Sequence, residues 1–212
     1  MEHASLPKEL RFTLDDDAEY LFAKLDYALR DGVHIQRRTD PDLFRFLSND
    51  ENEDSLRAYY EKYLRVKLQR RTQGGESYYF LDFMADHRGN LGDHYERLEN
   101  HLLLIGFLLH KVMVLDRNIE LRSITEFKRI LRENYPDLRI HLNRLIARSP
   151  RQTDNPEDNS TVDSAVKSAF ERFRQLKWVD YDGDTFETLP AFSRLTDAYA
   201  PHIQNIDNYL KP

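Results

Sequence analysis

The stretch Leu176–Leu189, "LKWVDYDGDTFETL", crowds Asp180, Asp182, Asp184 and Glu187 around one glycine, Gly183. Two structures compete for it, a metal-binding loop and the tip of a hairpin. A helix–loop–helix calcium site spreads its oxygens over about 12 residues and closes with a bidentate glutamate. The span from Asp180 to Glu187 is too short for that loop. Asp-Gly, by contrast, tolerates the positive φ that both central positions of a type I′ turn require. The flanks "KWVDY" and "TFETL" are rich in β-branched and aromatic residues, as strands are. The stretch reads as a hairpin turning at Asp182-Gly183, with its acids at a solvated tip.

The same grammar occurs once earlier. "YLRVKLQRRTQGGESYYFLDF" (Tyr63–Phe83) has a β-rich run, a Gly74-Gly75 turn and a second run dense in aromatics. Each hairpin directly follows an amphipathic helical segment. Before the first lie "AEYLFAKLDYALRD" (residues 18–31), with Leu21, Leu25, Ala28 and Leu29 at helical spacing and a stop at Gly32. "DPDLFRFLSND" follows, with Pro41 suited to a first turn, then "EDSLRAYYEKYL", with Leu56, Tyr59, Tyr60 and Tyr63 on one face. "MADHRGNLGDH" (Met84–His94) reads as a connection.

The second half opens on an apolar helix over residues 96–115. "SITEFKRILRENY" has a capping-box start at Ser123 and Glu126, and Pro136 separates it from "DLRIHLNRLIA". A polar loop, Arg148–Thr161, precedes a helix over Ser160–Lys177, whose stripe is Val162, Ala165, Val166, Ala169, Phe173 and Leu176. One or two helices close the chain after the second hairpin. The expected fold is mainly α with small β-hairpins, an α+β class. It is arranged as tandem winged-helix domains, an N-terminal one over 1–90 and a C-terminal one with closing helices over 91–212.

Composition excludes several functions. The chain has 212 residues, 40% hydrophobic and 32% charged, with net charge −6, so any nucleic-acid contact must come from a local patch. It has no cysteine, which removes disulfides, thiolate metal sites and thiol nucleophiles. "MEHASLPKELRF" lacks a basic flank followed by an apolar run, so no secretory signal is expected. The run "HLLLIGFLLHKVMVL" (His101–Leu115) is interrupted by His110 and Lys111 and falls short of the ~20 apolar residues that span a bilayer. No nucleophile elbow, phosphate loop, dinucleotide fingerprint or paired-histidine zinc motif occurs. Asp86-His87 and Asp93-His94 are isolated dipeptides. No catalytic residue, metal ligand or cofactor is expected. On Ser160–Lys177, Lys167 and Arg174 share the outer face with Asp163 and Glu171, a solvated pattern rather than a major-groove reader.

The order of "LDYALRDGVHI" (Leu25–Ile35), "LRAYYEKYLRVKLQR" leading into "GESYYFLDF", the apolar helix and "AVKSAFERFRQLKWVDY" resembles the MukE/MksE subunits of bacterial SMC-type condensins. These are kleisin-interacting tandem winged-helix proteins. The resemblance spans Leu25 to Leu195, and the lack of a long acidic tail favours the MksE branch. It implies a non-enzymatic, cytoplasmic, nucleoid-associated subunit that forms a homodimer and binds an MksF/MukF-like kleisin. Through the kleisin it joins an MksB/MukB-like SMC ATPase, acting in chromosome organisation and segregation with no membrane partner. Two alternatives are a subunit of a related plasmid-defence condensin and a free-standing winged-helix DNA-binding regulator. A third, a metal-dependent hydrolase, would use the acids of the second hairpin.

Two sets of surface residues follow. In the first hairpin, alternation puts Arg65, Lys67, Gln69 and Arg71 on one face and Val66 and Leu68 on the other, with Arg70 at the start of the turn. Arg65, Lys67, Arg70 and Arg71 are the candidates for non-specific DNA contact within the complex. A helix apolar nearly all round must be buried on most sides, as the core of the second unit or with one side also against a partner subunit or the first unit. On the second reading Leu103, Leu104, Phe107 and Leu108 are the subunit-interface candidates. Phe192, Tyr199 and Tyr209 are candidate aromatic anchors for the kleisin, the alternative being ordinary packing of the closing helices.

Overall fold

A computed structural model describes residues 6–82, 98–146 and 160–206. The chain divides into two compact units, Met1–Glu96 and Arg97–Pro212. Both are helical with a small antiparallel sheet, the mainly α, hairpin-bearing class that the sequence indicates.

In the first unit a 3-10 turn, Lys8–Leu14, leads into α1 (Ala18–Arg30). Its apolar face buries Leu25 and Leu29, and Gly32, at φ 79°, ends it with the amide of Val33 donating to the carbonyl of Ala28. A short strand β1 (Ile35–Gln36) follows, then α2 (Pro41–Leu47) and α3 (Asp50–Tyr59). Asn49 caps α3 by accepting from the amide of Glu51. A π-helical turn, Tyr60–Leu64, extends α3 to Arg65, which is left-handed at φ 59°. Strands β2 (Lys67–Gln73) and β3 (Glu76–Asp82) form the hairpin. Gly74 and Gly75 take φ of 59° and 84°, the double left-handed geometry of a type I′ turn.

The sheet order is β1-β3-β2. Alternation gives no sign of β1, because two residues are too few to show it. Its pairing makes β3 the central strand, and Tyr78, Tyr79, Phe80 and Leu81 are buried in succession. One face of β3, with Tyr79 and Leu81, joins the core of Leu25, Leu29, Ile35, Leu56, Tyr60 and Leu68. On the other face Tyr78 and Phe80 stack with rings 5.8 Å apart, flanked by His34. β3 thus behaves as a strand buried on both sides.

In the second unit α4 (Asn100–His110) and a π-helical turn, Lys111–Leu115, form the apolar helix. It packs against α6 (Leu138–Ile146), α7 (Ser160–Gln175) and α8 (Ser193–Gln204). Gly106 explains how closely. A Cβ there would stand 2.8 Å from Leu195 Cδ2 and 3.1 Å from Phe173 Cζ, tighter than side chains pack. α5 (Ile124–Asn134) is capped by Ser123, whose hydroxyl accepts from the amide of Glu126. The reciprocal half of the expected capping box does not form among the described residues, because the Glu126 carboxylate binds Arg129.

The second hairpin pairs β4 (Val179–Asp182) with β5 (Thr185–Thr188). Its turn is shifted by one residue from the expectation. Asp182 pairs with Thr185, so the central residues are Gly183 and Asp184, and only Gly183 has positive φ, at 57°. That pattern is shared with type II′ turns. Lys177, just before the hairpin, is left-handed at φ 59°, as Arg65 is before the first. Both units therefore turn from helix to strand through a basic residue in strained backbone followed by a buried apolar side chain, Val66 or Trp178.

Candidate partner and nucleic-acid surfaces

The acids of the second hairpin do not form a bare tip. Asp184 reaches back to the start of α5, where its carboxylate accepts from the Ser123 and Thr125 hydroxyls and from the Thr125 amide. The amide of Ile124 donates to its carbonyl at 2.8 Å. Asp184 thus supplies the negative charge favoured at a helix N-terminus. Asp180 pairs with Arg174, whose guanidinium lies 4.8 Å from the Tyr181 ring centre. Among the described residues no group of His, Asp and Glu is placed to hold a metal ion. The hydroxyls of Ser123 and Thr125 hold the Asp184 carboxyl below its ordinary value. Its contribution to stability is therefore complete at neutral pH and lost as the pH falls through that depressed value. Asp184→Asn is expected to lower the melting temperature by a few degrees at pH 7, with the difference shrinking below about pH 4. A melting difference that does not change with pH would remove the charge from this account.

The outer face of α7 is solvated by pairs, as its charge pattern indicates. Lys167 meets Glu171 at 3.9 Å, while Asp163 turns instead to Arg132 on α5. Phe170, absent from the apolar stripe read from the sequence, is buried too, so α7 presents a wider apolar face than that stripe.

The structure separates the four basic residues of the first hairpin. Lys67 and Arg71 lie on one face of β2 with Gln69, and both are exposed. Their cross-strand neighbours are Asp82 and Tyr78. Arg65 stands before the strand in its left-handed corner. Arg70 is not at the turn but in mid-strand opposite Tyr79, on the face of Leu68. There it meets Glu53 at 3.4 Å and lies over the Tyr79 ring. Glu53 is the hub of this corner, accepting also from Arg57 Nη2 at 2.6 Å and from the Tyr79 hydroxyl at 2.6 Å. Arg57 in turn donates to the carbonyl of Leu68 on β2. Burial, then the bond to Glu53, pushes the Tyr79 phenol well up. Nothing local in the sequence singles out Glu53, since its partners lie up to 26 residues away.

The apolar helix also divides. Leu108 is fully buried, together with Ile105, Leu109 and Val112. Leu103, Leu104 and Phe107 are half-buried along one stripe, and Phe107 meets Tyr199 with ring centres 5.3 Å apart. Val114 and Leu115, at the end of the π-turn, are exposed. Phe192, a candidate anchor, lies in the core against Phe173 and Trp178. Tyr199 is half-buried at a kink in α8, two residues before Pro201. Tyr209, Asp86-His87, Asp93-His94 and the connection Met84–His94 lie outside the described residues. Tyr20 and Tyr27 on α1 escaped the sequence reading, although they sit one heptad apart opposite the Leu25/Leu29 face. They are the two most exposed large hydrophobics among the described residues, at 74% and 70%.

Among the described residues no helix is long and apolar enough to cross a membrane. Comparison with known families gives a match to the family described as condensin complex protein MksE, over residues 20–200. No curated protein matches the chain.

Proposed function

The chain belongs to the MksE family of condensin complex proteins, and on that premise we propose that it is a non-catalytic subunit of an MksBEF/MukBEF-like condensin. In this reading it dimerises, binds the kleisin, and reaches the SMC ATPase only through the kleisin. It acts in chromosome organisation and segregation. The observation that carries the proposal is the extent of the family match, which runs from α1 in the first unit to α8 in the second. Half-buried apolar side chains on α4 and at Tyr199 support a partner-facing surface in the second unit.

Co-expression with a candidate kleisin and a candidate SMC protein from the same organism tests the reading. The tagged chain should retain the kleisin, and should retain the SMC protein only when the kleisin is present. Direct capture of the SMC protein alone, or of neither partner, would overturn it. Within the assembled complex, DNA binding falls to the exposed Arg65, Lys67 and Arg71, while Arg70 also meets Glu53. Lys67→Glu with Arg71→Glu should weaken DNA binding by the complex. Its log-affinity against log-salt slope should flatten by about one for each phosphate that no longer meets a cation. Asp182→Lys on the other hairpin should not weaken it. An unchanged salt slope in the first variant removes the basic hairpin as a DNA-binding element.

A further inference from the structure

Ahead of α1, the 3-10 turn Lys8–Leu14 lies along α3 and its π-helical extension. With three residues per turn, a 3-10 helix lines up every third side chain on one ridge. Here the ridge is Glu9, Phe12 and, just past the turn, Asp15. It meets Lys62, Ser55 and Asn52 in descending order, so this arm runs antiparallel to α3. The Glu9 carboxylate takes Lys62 and, at 3.4 Å, the Tyr63 hydroxyl. The amide of Phe12 donates to the Ser55 hydroxyl at 2.9 Å, and Asn52 donates to the Asp15 carboxylate at 2.6 Å. The Phe12 ring packs on Phe22 and Tyr59, with ring centres 4.5 and 5.8 Å away.

This seam is built unlike the core beside it. Of the five buried polar or charged residues among those described, three belong to it, Glu9, Asn52 and Ser55. Phe12 is the one buried apolar side chain of the described arm, and both rings it packs on are themselves half-buried. Among the described residues no backbone–backbone hydrogen bond joins arm to helix. Permanent interfaces resemble a core cut in half, whereas those that form and part are as polar as ordinary surface. The family match begins at residue 20, so α3 lies inside the matched region and the arm before it.

We propose that this face of α3 is a docking groove for a segment of a partner protein, and that the arm is a strap filling it until the partner displaces it. The arm defines the chemistry of that segment, an acid followed three residues on by phenylalanine and three further on by a second acid. Lys62 selects the first acid by charge, Phe22 and Tyr59 take the ring, and Asn52 holds the second acid by hydrogen bond. The strap competes as a tethered ligand. Joined to α1 through Asp15–Asp17 alone, it is present at an effective concentration of about 1 mM.

A labelled synthetic peptide of residues 5–17 is the probe. Phe12→Ser in the full chain should release the strap and leave the groove walls in place. Fluorescence anisotropy should then show the peptide binding this variant saturably and at least about tenfold more tightly than the native chain, whose own arm competes. Phe12→Ser or Glu9→Lys within the peptide should weaken binding to the variant chain by about tenfold or more, as loss of an anchor does. Equal binding to native and variant chains would put the peptide outside the groove. No binding to a folded variant would make the arm a fixed part of the core. Either result overturns the proposal. Where Phe12→Ser prevents folding, hydrogen exchange of the native chain decides. The Phe12 amide should exchange at least about tenfold faster than that of Leu56 in α3, because the arm lifts while the helix stays folded. Equal rates overturn the proposal. If Phe12→Ser instead turns a native dimer into a monomer, the groove takes the arm of a second copy and the partner segment is wrong.

Discussion

Replacing Phe170 by alanine is expected to cost the second unit about 3–5 kcal/mol, the range for truncating a buried phenylalanine. Phe170 is 1% exposed, and its ring meets Phe127 of α5, Tyr181 of β4 and Phe186 of β5, with Phe186 edge-on at 5.0 Å. One side chain therefore holds three elements together. The hairpin is also pinned to α5 from outside by Asp184, so the surroundings cannot easily collapse into the space a methyl group leaves. The melting temperature should fall by roughly 6–20 °C, since each kcal/mol shifts a chain of this size by about 2–4 °C. Phe170→Leu should recover most of the loss. Tyr27→Ala removes a larger side chain from a solvated site and should change the stability of the monomer by no more than about 0.5 kcal/mol. Comparable losses for Phe170→Ala and Tyr27→Ala would mean that the aromatic cluster does not support this unit as described.

What can be read in the sequence is set by the range of the interactions involved. The hairpin at Gly74-Gly75 rests on two adjacent left-handed residues, a local requirement that the residue types themselves announce. The second turn falls one residue later than its sequence suggests. Asp182-Gly183 satisfies the Asp-Gly rule, but the pairing of Asp182 with Thr185 moves the turn onto Gly183-Asp184. The reason is tertiary, since Asp184 is held by Ser123 and Thr125, about 60 positions upstream. Alternation correctly puts Leu68 inside and Lys67 outside, yet cannot show that Arg70, on the inner face, is drawn to Glu53. The burial of Leu108 and Phe192 is hidden from the sequence for a related reason. Leu108 and Phe192 are apolar, and an apolar side chain fits a core or an interface equally well until its neighbours are known. The tyrosines of α1 are legible in principle, because they lie on the wrong side of a helix whose buried side the sequence identifies.

Glu53→Ala is expected to be the most damaging change in the first unit outside its apolar core, at roughly 2–4 kcal/mol. The carboxylate is 13% exposed and takes hydrogen bonds from Arg57 and from the buried-ring phenol of Tyr79. A hydrogen bond from Tyr79 to a charged acceptor is worth about 1.5–3 kcal/mol. The ion pairs add less, because Arg57 and Arg70 are 36% and 45% exposed and partly screened. Loss of Glu53 also frees Arg57, which otherwise ties α3 to the carbonyl of Leu68, so the hairpin should loosen against α3. Hydrogen exchange at β2 should report this before global unfolding does. Tyr79→Phe should cost less than Glu53→Ala, because the carboxylate keeps its two arginines while the ring stays packed. The two substitutions together should cost less than their sum, by the coupling that a double-mutant cycle measures. The pH dependence has a definite sign. The Tyr79 phenol titrates in the folded chain above its ordinary value of 10.0, so its share of stability is complete below about pH 10 and is lost as the pH rises from there towards the raised value. The phenol of Tyr60, raised by burial and by Asp26, acts in the same direction. Tyr79→Phe should therefore flatten the alkaline limb of the stability curve without altering the acid limb. A variant that is additive with Glu53→Ala, and whose alkaline limb matches the native chain, would show that the hydroxyl does not couple the hairpin to α3.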